Sequence, residues 1–255
     1  MNYVLDVKGV SKTYGKKGNE YIALNNVDLQ VSEGEFVGVM GPSGAGKTTL
    51  LNIISTIDTA TDGDILIDGQ SIVKMKEAQL ATFRREKLGF IFQDYNLLDS
   101  LTVRENIALP LALSKVKVRE INRRVEEIAT KFGIEGMLEK YPYQISGGQK
   151  QRCAASRALV TKPSLIFGDE PTGALDSKSA TDLLDSLKAL NEQDDSTIVM
   201  VTHDAFAASY CERIIFIKDG TLFKEMYKDG LTRKQFFNEI LAVLGEIGGN
   251  KDDAI

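Results

Sequence analysis

Apolar positions along the chain alternate between the two-residue period of strands and the three-and-four spacing of helices. Val4, Leu5, Val7 and Val10 predict an opening strand, and the polar run SKTYGKKGNE after them predicts a turn-rich loop. Leu24, Val27, Leu29 and Val31 mark a second strand region over residues 22–31. Residues 35–40 (EFVGVM) read as a buried strand, and residues 49–54 as the opening of a helix. The turn pairs Asp62-Gly63 and Asp68-Gly69 flank a short strand, 65–67, in hairpin fashion. A helix over 75–87 leads into a strand over 88–92. From 102 to 155 the pattern is mainly helical. Val118, Ile121, Val125, Ile128 and Phe132 recur on one predicted helix face, opposite a solvated face carrying Arg119, Arg123, Arg124, Glu126 and Glu127. Strand and helix then alternate: an apolar run at 165–167, a helix at 180–190, strands at 197–201 and 214–217. Short apolar runs of this kind suit parallel strands covered on both faces.

The pattern predicts one α/β domain over 1–255, with a doubly wound core, an N-terminal antiparallel β subdomain and an inserted α-helical subdomain at about 94–158. The end of the chain, about 244–255, is Gly-rich and charged and is predicted to be flexible. Composition narrows the partners. A net charge of −5 argues against a nucleic-acid binder. The two cysteines, Cys153 and Cys211, stand far apart and form no paired motif, as expected of free thiols in a reducing compartment. The opening residues lack the pattern of a signal peptide. No apolar run is long enough to cross a bilayer; the nearest, 106–114, contains Pro110. A soluble chain is expected, reaching a membrane only through a partner.

One stretch carries strong chemistry. Residues 41–49, GPSGAGKTT, fit G-x-x-x-x-G-K-[ST], placed between a predicted strand and a predicted helix. Gly41, Pro42, Ser43, Gly44, Ala45, Gly46, Lys47, Thr48 and Thr49 therefore form a phosphate loop. Glycines let backbone N–H groups converge on phosphate oxygens, and the following helix N-terminus adds roughly half a positive charge. Lys47 is expected to reach the β- and γ-phosphates, and the Thr48 hydroxyl to hold Mg²⁺. A nucleoside triphosphate is the implied ligand.

Ligands of open α/β sheets sit at the carboxyl ends of strands. Asp169 and Glu170 fall there, the first as a Mg²⁺ ligand, the second as a general base for water. Gln93 ends the strand over 88–92 and is a further candidate toward Mg²⁺ and the water. His203, the single histidine, ends the strand at 197–201. Ser146-Gly147-Gly148-Gln149 forms a second anion-binding helix start, which by itself also reads as a Gly-Gly hinge.

Together these stretches resemble the ATP-binding subunits of ABC transporters, over the whole chain. Ile145 to Gln149 is similar to that family's signature, and Gly173-Ala174-Leu175-Asp176 to its D-loop. Ile145 replaces a usual Leu and Gly173 a common Ser. The segments GFIFQDYNLLDSLTVRENIALPL, YPYQISGGQKQR and DEPTGALDSKSA resemble the macrolide-exporter and lipoprotein-release branch. ASYCERIIFIKDG and RKQFFNEI resemble its bacitracin-resistance type. The resemblance implies ATP and Mg²⁺ as cofactors, an ATPase coupled to a membrane permease, and resistance to antimicrobial peptides. It implies Tyr14 stacking on adenine, Thr48, Gln93 and Asp169 around Mg²⁺, and Lys47, Gln93, Glu170 and His203 in hydrolysis. It further implies a head-to-tail homodimer formed on ATP binding, in which Ser146 to Gln149 of one copy close on the ATP of the other. The permease is expected to dock near Gln93 and the helical subdomain, to link the subunit to a sensor histidine kinase, and to hold it on the cytoplasmic face of the membrane. A soluble or signalling ATPase of cell-division or iron–sulfur assembly type, and a macrolide or lipoprotein transporter, are the alternatives.

Overall fold

The computed structural model describes residues 3–16 and 18–248. Two sheets share a core. The first is antiparallel, in the order β2-β1-β4-β5, from β1 (Tyr3–Lys16), β2 (Asn19–Ser32), β4 (Asp62–Ile67) and β5 (Gln70–Ser71). The second has the order β10-β9-β3-β8-β7-β6. Its strands β3 (Phe36–Met40), β6 (Leu88–Phe92), β7 (Leu165–Asp169), β8 (Ile198–Val201) and β9 (Arg213–Lys218) are parallel, and β10 (Thr221–Tyr227) is antiparallel.

Helix α1 (Lys47–Ile54) lies between the sheets and buries Leu50, Leu51, Ile53 and Ile54. Alternation along β3 explains the layering. Val37 and Val39 point into this inter-sheet core, whereas Phe36 and Met40 point into a second core on the other face. That second core receives α3 (Val103–Leu113), α4 (Val118–Lys131), α5 (Gly147–Leu159), α6 (Ser177–Asp194), the single turn α7 (Ala205–Ala208) and α8 (Arg233–Gly248). Helix α2 (Glu77–Lys87) leads into β6. All five residues of β3 are buried, so its run reads as continuously apolar.

The α/β class, the antiparallel N-terminal sheet and the hairpin at Asp68-Gly69 match the sequence pattern. Asp68 and Gly69 both have positive φ, 48° and 72°, which the tight turn requires. Other expectations are corrected. Residues 11–16 are not loop: β1 continues to Lys16, with Tyr14 opposite Tyr21 and Lys16 opposite Asn19. Cross-strand pairing overrides the polar composition there. Val118 stands apart from the apolar face of α4 and is 72% exposed, because it is the first residue of the helix. Val125, Ile128 and Phe132 are buried as expected. Strand β10 was not anticipated. Helix α8 runs on to Gly248 with Ile247 buried, so residues 244–248 are helix. Residues 249–255 of the predicted tail lie outside the described residues. Among the described residues no helix is long and apolar enough to cross a membrane.

Candidate functional site at the carboxyl edge of the parallel sheet

Strand register assembles the site. Val39 of β3 pairs with Val201 of β8, Val201 with Asp169 of β7, and Asp169 with Phe92 of β6. The four strands therefore end level. The phosphate loop, His203, Glu170 and Gln93 follow on one edge, with neighbouring strands about 4.8 Å apart. The strand ahead of the loop, β3, lies between β8 and β9, so the sheet runs in both directions from it.

The loop fits phosphate. Gly41, Gly44 and Gly46 have φ of 152°, 76° and 102°. A Cβ at Gly41 would lie 2.1 Å from the Ile217 carbonyl oxygen, and one at Gly46 2.6 Å from that of Ala23. Close backbone approach, and not turning alone, demands glycine at both positions. The Gly220 N–H donates to the Ala45 carbonyl (3.0 Å), and the Asn25 N–H donates to the Gly220 carbonyl (2.8 Å), which pins the loop to the β9–β10 turn and β2. No side chain caps α1, so its first N–H groups face the loop. Lys47 Nζ donates to the carbonyls of Gly41 and Pro42, 2.8 Å each, and lies across the loop. Burial lowers the Lys47 pKa from the ordinary lysine value, against the raising effect of Glu170 and Asp169.

Asp169 is half-buried as the last residue of β7; burial, then the charge of Glu170, raises its pKa. Burial thus penalises the charge of Asp169, and a cation beside it would offset that penalty. Among the described residues no group of three or more His, Cys, Asp and Glu side chains is arranged to hold a metal. The groups expected to hold a cation here are the Asp169 carboxylate, the Thr48 hydroxyl and the Gln93 amide. All are hard oxygen ligands, and phosphate oxygens would complete the set. That suits Mg²⁺, which is commonly held by one or two carboxylates with substrate phosphates and water.

Glu170 has φ of 46°, a left-handed conformation that costs a side-chain-bearing residue about 1–3 kcal/mol. Its carboxylate is held by the end of β8. It accepts from the His203 N–H (3.1 Å) and from the Thr202 hydroxyl (3.2 Å), and lies 2.7 Å from His203 Nδ1. The His203 side chain is 74% exposed. Gln93 is exposed and lies against Gly173, where a Cβ would come within 3.1 Å of its amide.

Tyr14 is more tightly held than its sequence suggests. Its hydroxyl donates to Asp58 Oδ2 (2.7 Å), and the Lys12 ammonium sits 4.7 Å from its ring centroid. Lys12 also donates to Asp58 Oδ1 and to the Thr59 carbonyl, 2.7 Å each. Burial acts to raise the Asp58 pKa, but bonds from Lys12, Tyr14 and the Thr59 N–H hold it below the usual value.

Ser146, Gly147, Gly148 and Gln149 open α5 as a reciprocal cap: the Ser146 hydroxyl accepts from the Gln149 N–H (3.3 Å), and Gln149 Oε1 accepts from the Ser146 N–H (3.0 Å). Gly147 faces the Tyr95 hydroxyl and Gly148 faces Ser179, so this helix start looks toward α6 and the loop after β6. The structure thus brings the loop, Asp169, Glu170, His203 and Gln93 to one edge, and sets Ser146 to Gln149 apart on another element.

Sequence reasoning missed Lys12, Asp58 and Thr202. Lys12 and Tyr14 share a strand face at i, i+2, a legible signal; Asp58 gave none, because its contact is 44 residues distant. A cavity of about 770 Å³ lies away from this chemistry, between α4 and the turns entering β7 and β8.

A family model described as ABC transporter matches residues 24–173. The chain is 51% identical over 250 residues to the bacitracin export ATP-binding protein BceA of Halalkalibacterium halodurans, covering 98% of this chain and 99% of that one. It is 53% identical over 254 residues to the ABC transporter ATP-binding protein YxdL of Bacillus subtilis, covering 99% and 98%. A solved dimeric, post-hydrolysis ATP-binding cassette, MJ0796 bound to ADP and Pi, superposes with a TM-score of 0.80 at 42% identity, covering 88% of this chain and 98% of that one.

Proposed function

The chain belongs to the ABC transporter family as an ATP-binding, ATP-hydrolysing subunit, and from that premise we propose how its edge residues work and what they power. Lys47 and the N–H groups of the loop and α1 hold the β- and γ-phosphates. Tyr14 stacks on adenine. Thr48, Gln93 and Asp169 hold Mg²⁺, which when bound neutralises phosphate charge. Glu170 takes a proton from water as the water oxygen bonds to the γ-phosphorus and the bond from that phosphorus to the bridging oxygen breaks. The products are ADP and inorganic phosphate. His203 orients the Glu170 carboxylate and reaches the γ-phosphate. The observation that carries this reading is the level ending of β3, β8, β7 and β6, with a carboxylate already bonded to the next strand's histidine.

Two copies pair head to tail, each offering Ser146, Gly148 and the α5 start to the other's γ-phosphate. The reciprocal cap at Ser146 and Gln149, which presents a helix N-terminus on an element separate from the phosphate loop, supports that role. The pair drives a membrane permease. Its docking site is a groove of about 300 Å³ between β6 and α3, lined by Phe90, Phe92, Pro110 and Leu113. Leu113 is 60% exposed there. Through the permease the subunit sits on the cytoplasmic membrane face and communicates with a sensor histidine kinase. The cargo or target is a bacitracin-like or lantibiotic peptide, by likeness to the bacitracin exporter subunit.

Deletion of the gene tests this, with growth compared on bacitracin, a lantibiotic and a macrolide. Peptide sensitivity is expected, restored by the wild-type gene and not by Lys47→Ala, whose purified protein folds but does not hydrolyse ATP. Unchanged peptide tolerance, or full complementation by Lys47→Ala, would overturn it.

A further inference from the structure

The segment after His203 depends on tertiary contacts: Ala205, Ala207 and Ala208 pack into the second core. Helix α7 is four residues long, far below the length at which a helix is stable alone. Yet it is bonded directly into the hydrolytic edge. Its cap residue Asp204 accepts from the Phe206 N–H (2.9 Å), and the Asp204 N–H donates to the Thr202 hydroxyl oxygen (3.0 Å). That same hydroxyl donates to Glu170 (3.2 Å). On its far side α7 meets a cation. The rings of Phe206 and Tyr210 pack edge to face, centroids 5.6 Å apart, and the Arg233 guanidinium lies over both, 5.4 Å from Phe206 and 4.4 Å from Tyr210. Arg233 is the first residue of α8, a helix fixed in the core by the fully buried Phe236 and Ile240. A contiguous path thus runs from α8 through Arg233, the two rings, Asp204 and Thr202 to Glu170.

We propose that Arg233 is a positioning residue for ATP hydrolysis: held against the rings of Phe206 and Tyr210, it clamps α7 and so fixes the corner that presents His203 and, through Thr202, Glu170. The guanidinium suits this task. Its charge lies within cation–π range of both rings, while its stem comes from a helix that cannot move without opening the core. Loss of the clamp leaves the phosphate loop, Tyr14 and Asp169 intact, so nucleotide binding survives while the geometry of the base and the histidine loosens. The inference rests on the reading that His203 and Glu170 serve hydrolysis.

The experiment uses the full chain with MgATP and compares wild type, Arg233→Met, Arg233→Lys and His203→Ala. Steady-state ATPase kinetics are read beside the imidazole NMR signal, which is unambiguous because the chain has one histidine. Arg233→Met is expected to lower kcat about two- to thirtyfold, leave KM for ATP unchanged, and shift the imidazole signal. Arg233→Lys restores most of kcat by returning a cation to the rings. Wild-type kcat with an unmoved imidazole signal in Arg233→Met overturns the proposal. So does a loss of activity that tracks lowered Tm without any imidazole shift, since that is general destabilisation. If His203→Ala hydrolyses ATP normally, the reading of the site itself fails; if it is inactive while Arg233→Met is fully active, only the role of Arg233 falls.

Discussion

Asp169 shows at the scale of one residue how a binding site opposes stability. Its pKa lies above the usual carboxylate value, mainly through burial. The native state therefore binds this proton more tightly than the unfolded chain does. Stability from this group is fully present below the unfolded pKa and is lost as pH rises through the raised native value. Asp169→Asn keeps the shape and removes the charge, so it is expected to raise Tm in the absence of nucleotide. Each kcal/mol relieved corresponds to about 2–4 °C. The gap to wild type should close as pH falls, and Mg²⁺-dependent hydrolysis should disappear. A mutant with lower Tm at neutral pH would contradict the account. Tyr14 gives a second test. Stacking on adenine contributes about 0.5–1.5 kcal/mol, so Tyr14→Ala should weaken nucleotide binding by about two- to twelvefold. Tyr14→Phe keeps the ring but loses the bond to Asp58, and should fall between wild type and Ala. Binding by Phe weaker than by Ala would show that the ring does not stack.

Among the elements, α3 and α5 fix the segment between β6 and the helices. Asn106 of α3 is fully buried, accepts from the Leu98 N–H and donates to the carbonyls of Leu98, Leu101 and Thr102. Gln151 of α5, also fully buried, donates to the carbonyls of Phe92 (3.0 Å) and Pro171 (2.6 Å). That ties the strand end before Gln93 to the turn after Glu170. Arg157 donates to the carbonyls of Tyr95 and Asn96, which have positive φ of 61° and 49°. Asn106→Leu is expected to cost about 1–3 kcal/mol in urea unfolding, because the loop groups lose their partner in a buried setting. A change below about 0.5 kcal/mol, the range of an ordinary surface substitution, would mean that water replaces Asn106. Neither Asn106 nor Gln151 was singled out from sequence, since an amide within a helix gives no local sign of whether it is buried.

At the scale of the whole molecule, the signature start of α5 and the phosphate loop are on different elements, and a second copy is the proposed means of joining them. Glu170→Gln should lower hydrolysis by about 10²–10⁴ while the phosphate contacts remain. An ATP-bound dimer should then accumulate in size-exclusion chromatography with MgATP. It should be absent with ADP, and absent when Ser146→Arg is added. A Glu170→Gln chain that stays monomeric with ATP bound would remove the head-to-tail dimer from the proposal.

The sequence by itself determined the phosphate loop, because G-x-x-x-x-G-K-[ST] is a local motif whose glycines, lysine and hydroxyl act within one strand–loop–helix unit. It determined the α/β class, because side-chain period is written in neighbouring residues. It placed Asp169, Glu170, Gln93 and His203 at strand ends. Only the tertiary structure decided that those ends are level, that Glu170 is bonded to Thr202 and His203, and that Asp58 and Lys12 hold Tyr14. It also decided that residues 11–16 are strand and that α8 continues through Ile247 into the core. The reason is range. Register, cross-strand pairing and burial arise between residues far apart in the chain, and their energies outweigh the local preferences that a single stretch of sequence displays.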